Sequence, residues 1–226
     1  MYILIGGAGM MGLDLAKTLL PMGHTIAVID TDPLTCKYAR EKIGVMAFEG
    51  SAVNTTVLLE AGIRRCDTFI AALREDALNL AMVTLSKHYG VPQILVRMSE
   101  RDFADPYQLA GATHIIGTFE LAVSRIVNAI EYPQVDAMMH FEQGQVEVLK
   151  LSIPKSCAIA CQTVAEIAQN PNFPTGTLII GYQSHLHEDL IVPNGSTVLE
   201  DGSTILVVTK PDLVRKLLDF MGLCSQ

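Results

Sequence analysis

The stretch ILIGGAGMMG, Ile3–Gly12, decides how the rest of the chain is read. An apolar run feeds directly into Gly7-x-Gly9-x-x-Gly12. In a strand–turn–helix unit each glycine has its own reason. Gly7 permits a tight turn off the strand, Gly9 has no Cβ and lets a pyrophosphate approach the backbone, and Gly12 lets helix and strand pack closely. The helix that starts at Met10 and Met11 then offers free N–H groups and a partial positive charge to phosphates.

Alone, a glycine triplet of this kind is a weak signal. Here it is joined by an acid at the end of the second apolar run, IAVID, where Asp30 falls roughly 20 residues after the glycines and can take two ribose hydroxyls. A carboxylate there repels a 2′-phosphate, which disfavours NADPH. The competing reading is the same fold with an empty, vestigial turn. Thr31 follows Asp30, and Ala72 ends the fourth apolar run; both join the candidate set. Asp32 has two readings, N-cap of the next helix or a ribose or adenine contact. Arg97 ends the fifth strand at the edge where ligands sit, as a phosphate or interface contact or as half of a structural salt bridge.

Outward from the glycine turn, short apolar runs alternate with helical patterns. Strands are expected at Tyr2–Gly6, Thr25–Asp30, Val45–Phe48, Asp67–Ala72, Gln93–Arg97 and His114–Ile116. Helices are expected at Met10–Leu20, Pro33–Ile43, Thr55–Ala61, Asp76–Tyr89 and Phe119–Glu131, with a shorter one near Pro106–Ala110. This alternation predicts an α/β, Rossmann-type doubly wound parallel six-stranded sheet in the order 3-2-1-4-5-6. Gly23 and Gly90 read as helix stops, and Pro21 as a brake on the first helix.

The pattern changes near Glu131-Tyr132-Pro133. Strands then dominate, at Gln145–Ile153, Thr177–Tyr182, Asp189–Ile191 and Thr204–Val208. TVAE, Thr163–Glu166, is a capping-box signature for a helix, and a last helix is expected over Pro211–Met221. The expected organisation is residues 1–134 as the dinucleotide-binding domain and 135–226 as a small α+β domain.

Composition narrows the class. Of the 226 residues 50% are hydrophobic, and the mean hydropathy is +0.34, which suits a sheet buried on both faces. No apolar stretch reaches the roughly 18–20 residues that span a bilayer, so direct membrane insertion is not expected. Neither a basic leader nor a small-residue cleavage site precedes the first strand, and a cytosolic protein is expected. The net charge of −8 disfavours nucleic acid and anionic membranes, both of which need Lys and Arg. It suits docking on the basic cytoplasmic loops of a membrane protein. The five cysteines, Cys36, Cys66, Cys157, Cys161 and Cys224, are irregularly spaced and read as reduced apolar residues.

GAGMMGLDLAKTLLPMGHTIAVIDTD, LLEAGIRRCDTFIAAL, EDALNL, QILVRMSE and LAGATHII, taken in series, resemble the N-terminal domain of RCK (regulator of potassium conductance) proteins. IVPNGSTVLEDGSTILVVT resembles the C-terminal domain of the same family. The resemblance covers nearly the whole chain and points to the regulatory subunits of Trk/Ktr-type potassium-uptake systems. It implies NAD(H) or an adenine nucleotide (ATP, ADP or AMP) at the glycine turn. It also implies homodimers paired through the helix after the sixth strand, and an octameric ring beneath a membrane-embedded potassium translocator. The C-terminal domains would dimerise and could take a second effector. The protein would then be cytoplasmic and peripheral at the inner face of the cell membrane through its partner.

Departures from the family pattern shape these expectations. Met10 stands where many relatives carry an arginine that can contact a terminal phosphate, which favours NAD(H) or AMP-type ligands. Gly50-Ser51-Ala52 replaces the usual Gly-Asp-Ala; Ser51 can hydrogen-bond an adenine or ribose, and Ala52 lies beside it. SCAIACQT, residues 156–163, replaces a glycine-rich segment of the C-terminal domain.

The remaining chemistry-bearing residues carry plain readings beside functional ones. Glu120 opens the helix after the sixth strand, where the helix dipole favours an acid; in some relatives an acid near here helps bind a divalent cation between subunits. His185 and His187 form His-x-His, a half-site for a metal or an exposed hairpin tip, with Glu188 adjacent. Cys157 and Cys161 would share one face of a helix. No metal site is expected. The alternative function is a small NAD-dependent oxidoreductase. Hydride transfer needs an acid or base beside the nicotinamide, and none of the six histidines joins a credible catalytic set. A regulatory switch is therefore the expected function, with no catalysis.

Overall fold

The computed structural model describes residues 1–141, 145–155, 157–186 and 189–223. The chain divides into two units, Met1–Ala122 and Val123–Gln226. The division falls inside the helix Thr118–Glu131, ahead of the Tyr132-Pro133 break that marks the change of pattern in the sequence.

In the first unit the strands are β1 (Tyr2–Gly6), β2 (Thr25–Asp30), β3 (Met46–Glu49), β4 (Thr68–Ala71), β5 (Gln93–Met98) and β6 (His114–Gly117). They form one six-stranded sheet in the order β3-β2-β1-β4-β5-β6, with every neighbouring pair parallel. This is the doubly wound order that the alternation predicted. The central strands β1, β2 and β4 read as nearly continuous apolar runs because both of their faces are covered. Ile3, Ile5, Ile26, Val28 and Ile70 turn to one face and pack with Ala16 and Ala39. Leu4, Ala27, Ile29, Phe69 and Ala71 turn to the other and pack with Leu58, Met82 and Val83. Alternate residues of one strand thus serve two separate layers.

The helices are α1 (Met10–Leu19), α2 (Pro33–Tyr38), α3 (Thr55–Glu60), α4 (Asp76–His88), α5 (Ala104–Ala110) and α6 (Thr118–Glu131). Pro21 sits in a 3-10 turn, Leu20–Met22, which ends α1 earlier than the apolar period suggested. The expected Pro33–Ile43 helix is α-helical only to Tyr38 and continues as a π-helical turn over Ala39–Ile43. Gly23 and Gly90 follow their helices at positive φ, as stops.

The second unit has an antiparallel sheet in the order β10-β12-β8-β7. Its strands are β7 (Val135–Phe141), β8 (Val146–Ser152), β10 (Leu178–Gln183) and β12 (Thr204–Thr209). β9 (Gln162–Thr163) and β11 (Val198–Leu199) form a separate two-stranded sheet, whose Leu199 joins the core of the same unit. One face is covered, so β8 alternates: Leu149 and Leu151 are buried while Lys150 and Ser152 are exposed. Helix α7 (Val164–Gln169) begins with the full capping box, Thr163 and Glu166 serving each other's backbone N–H. Helix α8 (Val214–Met221) packs Leu217 and Leu218 into the core with Leu149, Ile205 and Val207.

The structure corrects two expectations and adds three strands. Asp189–Ile191 is not a strand; only Ile191 bridges, to Tyr182. Cys157 and Cys161 do not share a helical face, because the chain turns there instead. Cys157 is buried and Cys161 is exposed at φ 61. Strand β7 and the short β9–β11 pair were absent from the sequence reading. Two-residue strands carry no period, and β7 follows the proline break directly. Among the described residues Cys36, Cys66, Cys157 and Cys161 are all free thiols, and burial pushes the Cys66 thiol up to about 11. Cys224 lies outside the described residues. Among the described residues no helix is long and apolar enough to cross a membrane.

Candidate functional site

In the order β3-β2-β1-β4-β5-β6 the winding reverses between β1 and β4, and the carboxyl ends of those two strands splay a crevice open. A cleft of about 920 Å³ lies there. Its first wall is the start of α1, from Gly9 to Met11, continued along one helical face by Asp14, Leu15, Thr18 and Leu19. Asp30 closes one end at the tip of β2. The facing residues are Ala72 to Glu75 after β4, Leu78 on α4 and Arg97 on β5.

The turn itself is built as the three glycines dictate. Gly7 has φ +99, where a side chain would be strained, and a Cβ there would press on Leu73. A Cβ on Gly12 would sit 2.0 Å from the Gly7 carbonyl oxygen, so only glycine lets α1 pack against the turn. Gly9 differs: a Cβ there would meet nothing within 4 Å. The protein has no internal need for glycine at that position, and the open space lies over the helix start. Gly9 is the N-cap of α1, with no side-chain cap and no acid in the first turn. The first-turn amides, those of Met10, Met11 and Gly12, therefore remain available to an anion.

Asp30 ties the two loops of the site together. One carboxylate oxygen accepts from the Ala8 N–H at 2.7 Å, the other from the Asp32 N–H at 2.9 Å. Each oxygen keeps lone-pair capacity for a further donor, such as a ribose hydroxyl. Asp32 turns the other way. It caps α2, accepting from Leu34 N–H at 2.9 Å and the Thr35 hydroxyl at 2.7 Å, and these bonds hold its carboxyl below the usual carboxylate range.

Of the residues expected at the site, Gly9, Met10, Met11, Asp30, Ala72 and Arg97 line one cleft. Gly7 and Gly12 shape the turn beneath it. Thr31 is exposed, and Ser51 accepts from the Val53 N–H at 3.4 Å. Ala52 is packed in the core beside Leu58 and Phe69. None of Thr31, Asp32, Ser51 and Ala52 is part of the cleft lining.

Sequence reasoning missed Arg74, Glu75 and the outer face of α1. Arg74 lies three residues beyond the carboxyl end of β4, at the same edge of the sheet that Asp30 marks on β2, so the carboxyl-edge rule could have found it. It also missed the two buried side chains that set the far wall. Asn79 is wholly buried; its Oδ1 accepts from Leu73 N–H, and its Nδ2 donates to the carbonyls of Leu73 and Arg97, each at 3.0 Å. Asp76 accepts from Ser99 N–H at 3.1 Å, Glu100 N–H at 2.9 Å and the Tyr107 hydroxyl at 2.7 Å. Burial, and then Asp76, push the Tyr107 phenol far above its ordinary range. The exits of β4 and β5 are thus clamped to α4.

Arg97 donates from Nε to the Thr118 hydroxyl at 3.3 Å. Glu120 pairs with Arg101. Among the described residues no group of three or more His, Cys, Asp or Glu is placed to hold a metal. His185 lies 3.8 Å from the Glu200 carboxylate, and both groups are partly exposed. His187 and Glu188 lie outside the described residues.

Comparison with known proteins matches both halves of the chain. The TrkA-N domain matches residues 3–118, and the TrkA-C domain residues 148–222. A Trk system potassium uptake protein TrkA homolog of Methanothermobacter thermautotrophicus is 29% identical over 216 residues, 96% of this chain and 97% of the relative. A TrkA homolog of Archaeoglobus fulgidus is 27% identical, with 98% of this chain matching 50% of its length. Among solved structures, a GsuK channel bound to NAD superposes over 100% of this chain and 40% of its own, with TM-score 0.68 and 21% identity. A Shewanella denitrificans Kef C-terminal domain in AMP-bound form superposes over 60% of this chain and 84% of its own, with TM-score 0.51 and 24% identity. These two structural likenesses concern the fold. With the glycine turn, the six-stranded order and both domain matches in register along the sequence, the chain belongs to the TrkA-N/TrkA-C family.

Proposed function

We propose that this chain is a nucleotide-binding regulatory subunit of a potassium-uptake system, which gates a membrane-embedded translocator of the Trk/Ktr type. The observation that carries this reading is the cleft at the β1–β4 switch point, where an uncapped helix start and the Asp30 carboxylate stand together. That pairing fits the phosphates and ribose of NAD(H), ATP, ADP or AMP. Gly9, Met10 and Met11 would hold phosphate through backbone N–H groups, Asp30 the ribose, and Arg97 would add charge. Thr31, Asp32, Ser51 and Ala52 are kept as candidates for the adenine end.

The lining of the cleft supports binding over hydride chemistry. Its charged side chains are Asp14, Asp30, Arg74, Glu75 and Arg97, and no His, Lys, Tyr, Cys or Ser is among the described residues lining it. Purified protein given NADH and a panel of 2-oxo acids should show no turnover above background. Measurable oxidation of NADH would put the oxidoreductase reading first.

Regulation requires an assembly that can change shape. Helix α6 leaves Phe119, Val123, Ile126, Val127 and Ile130 exposed at helical spacing, a stripe that supports pairing of two chains along it. We read the working unit as homodimers built into a ring of eight, cytoplasmic and peripheral at the inner face of the membrane through the translocator. Residues 1–134 would form the sensing part and 135–226 the regulatory part. Ligand at Asp30 shifts the ring only by its differential affinity for two hinge states.

Asp30→Ala tests the site. Losing two hydrogen bonds should lower the unliganded stability by about 1–2 kcal/mol. The nucleotide-induced rise in melting temperature should fall by most of its size, because ribose recognition goes with the carboxylate. A rise equal to that of the unaltered protein places the ligand elsewhere.

A further inference from the structure

We propose that Arg74 binds the second phosphate of an adenine nucleotide and so makes this cleft prefer ADP to AMP. The inference rests on the nucleotide reading above and deepens it. The start of α1 has no side-chain cap and no acid in its first turn. Its partial positive charge, roughly half an elementary charge, falls short of what a diphosphate carries. Met10 and Met11, the exposed side chains at that helix start, add no charge for a second phosphate. The charge must come from the facing residues, and there Arg74 and Arg97 are the two cations of the lining.

The two arginines differ in what they are free to do. Arg97 is half-buried and tied through Nε to Thr118. Arg74 is exposed, and no described carboxylate lies within ion-pair distance of it. Its backbone is nonetheless held in place. Leu73 is bonded through both its N–H and its carbonyl to the buried Asn79, and the Arg74 carbonyl accepts from the Ser99 hydroxyl at 3.4 Å. A long side chain with a free guanidinium therefore leaves a fixed point on the cleft edge. Arginine matches a phosphate with two parallel N–H donors, which is the geometry such a role needs.

The acids of the cleft sharpen the argument. Asp14 is paired with Lys17 at 3.1 Å, and both Asp30 oxygens accept backbone N–H groups. Glu75 has no ion pair among the described residues and stands next to Arg74 in the lining. Without Arg74, the loop after β4 would offer a second phosphate only the Glu75 carboxylate, with Arg97 held back by its bond to Thr118. Asp30 recognises the ribose of AMP and ADP alike, and the α1 amides bring only a partial charge, so the full charge that separates the two ligands is that of Arg74.

Calorimetric titration of the full chain with AMP and with ADP, without divalent metal and at fixed salt, tests this. The unaltered protein should bind ADP at least about tenfold more tightly than AMP, the scale of one charge-assisted phosphate contact. Arg74→Gln should bring the ADP-to-AMP preference to about one or below, with AMP affinity and melting temperature unchanged. Arg74→Lys should restore part of the preference, since the charge remains and the planar fork does not. A preference retained in Arg74→Gln, or an equal loss for both ligands, overturns the assignment while the nucleotide site stands. Unaltered protein that binds neither AMP, ADP nor NAD overturns the nucleotide reading itself.

Discussion

Gly12→Ala should destabilise the first unit by about 3 kcal/mol or more, while Gly9→Ala should leave its stability within about 1 kcal/mol of the unaltered protein. A Cβ on Gly12 lands 2.0 Å from the Gly7 carbonyl oxygen. The obstacle is backbone, not the end of a flexible side chain, so α1 must move away from β1. That movement would open the layer where Ala16 packs with Ile3 and Ile5. At Gly9 the added methyl enters open space, and the backbone has φ −64 and ψ −171, which alanine adopts without strain. That open space is where a phosphate would approach the α1 amides. Gly9→Ala should therefore fold normally and lose the nucleotide-induced rise in melting temperature. Urea unfolding and thermal shift with ADP separate the two outcomes. A stable Gly12→Ala protein contradicts the packing argument, and a Gly9→Ala protein that still responds fully to ADP contradicts the location of the phosphate.

Asn79→Ala is the second large effect, at about 3–5 kcal/mol, because it strands three half-buried backbone groups that bond no other side chain among the described residues. One amide serves the Leu73 N–H, the Leu73 carbonyl and the Arg97 carbonyl from a fully buried position. These groups sit on the exits of two adjacent strands, so their loss loosens both sides of the far wall at once. Asn79→Asp should be no milder. It keeps an acceptor for Leu73 N–H but sets a carboxylate against two carbonyl oxygens. The check is the melting temperature of the full chain together with hydrogen exchange at Leu73. Little change in either for Asn79→Ala would mean that the β4 and β5 exits are held by other contacts.

Much of the first unit was legible because its signals are local. An apolar run, a helical period and a glycine triplet each declare themselves within a dozen or so residues. The carboxylate of Asp30 could be placed for the same reason, since the strand-end position follows from the run that precedes it. The second unit was harder to read. Strand β7 abuts a proline break, and the β9–β11 pair is two residues long on each side, too short for alternation to show. Cys157 and Cys161 have helical spacing without a helix, because spacing alone does not reveal a turn.

By itself the sequence determined the winding of the sheet, the glycine turn and the acid that answers it, since hydrophobic period and backbone sterics act between near neighbours. Only the tertiary structure decided which glycine is there for packing and which leaves space for a ligand. It alone brought Arg74 to the same cleft as Met10, and it alone showed one buried asparagine holding the far wall. Those facts depend on distant segments meeting at the carboxyl ends of β1 and β4, and no local periodicity encodes where side chains from separate strands converge.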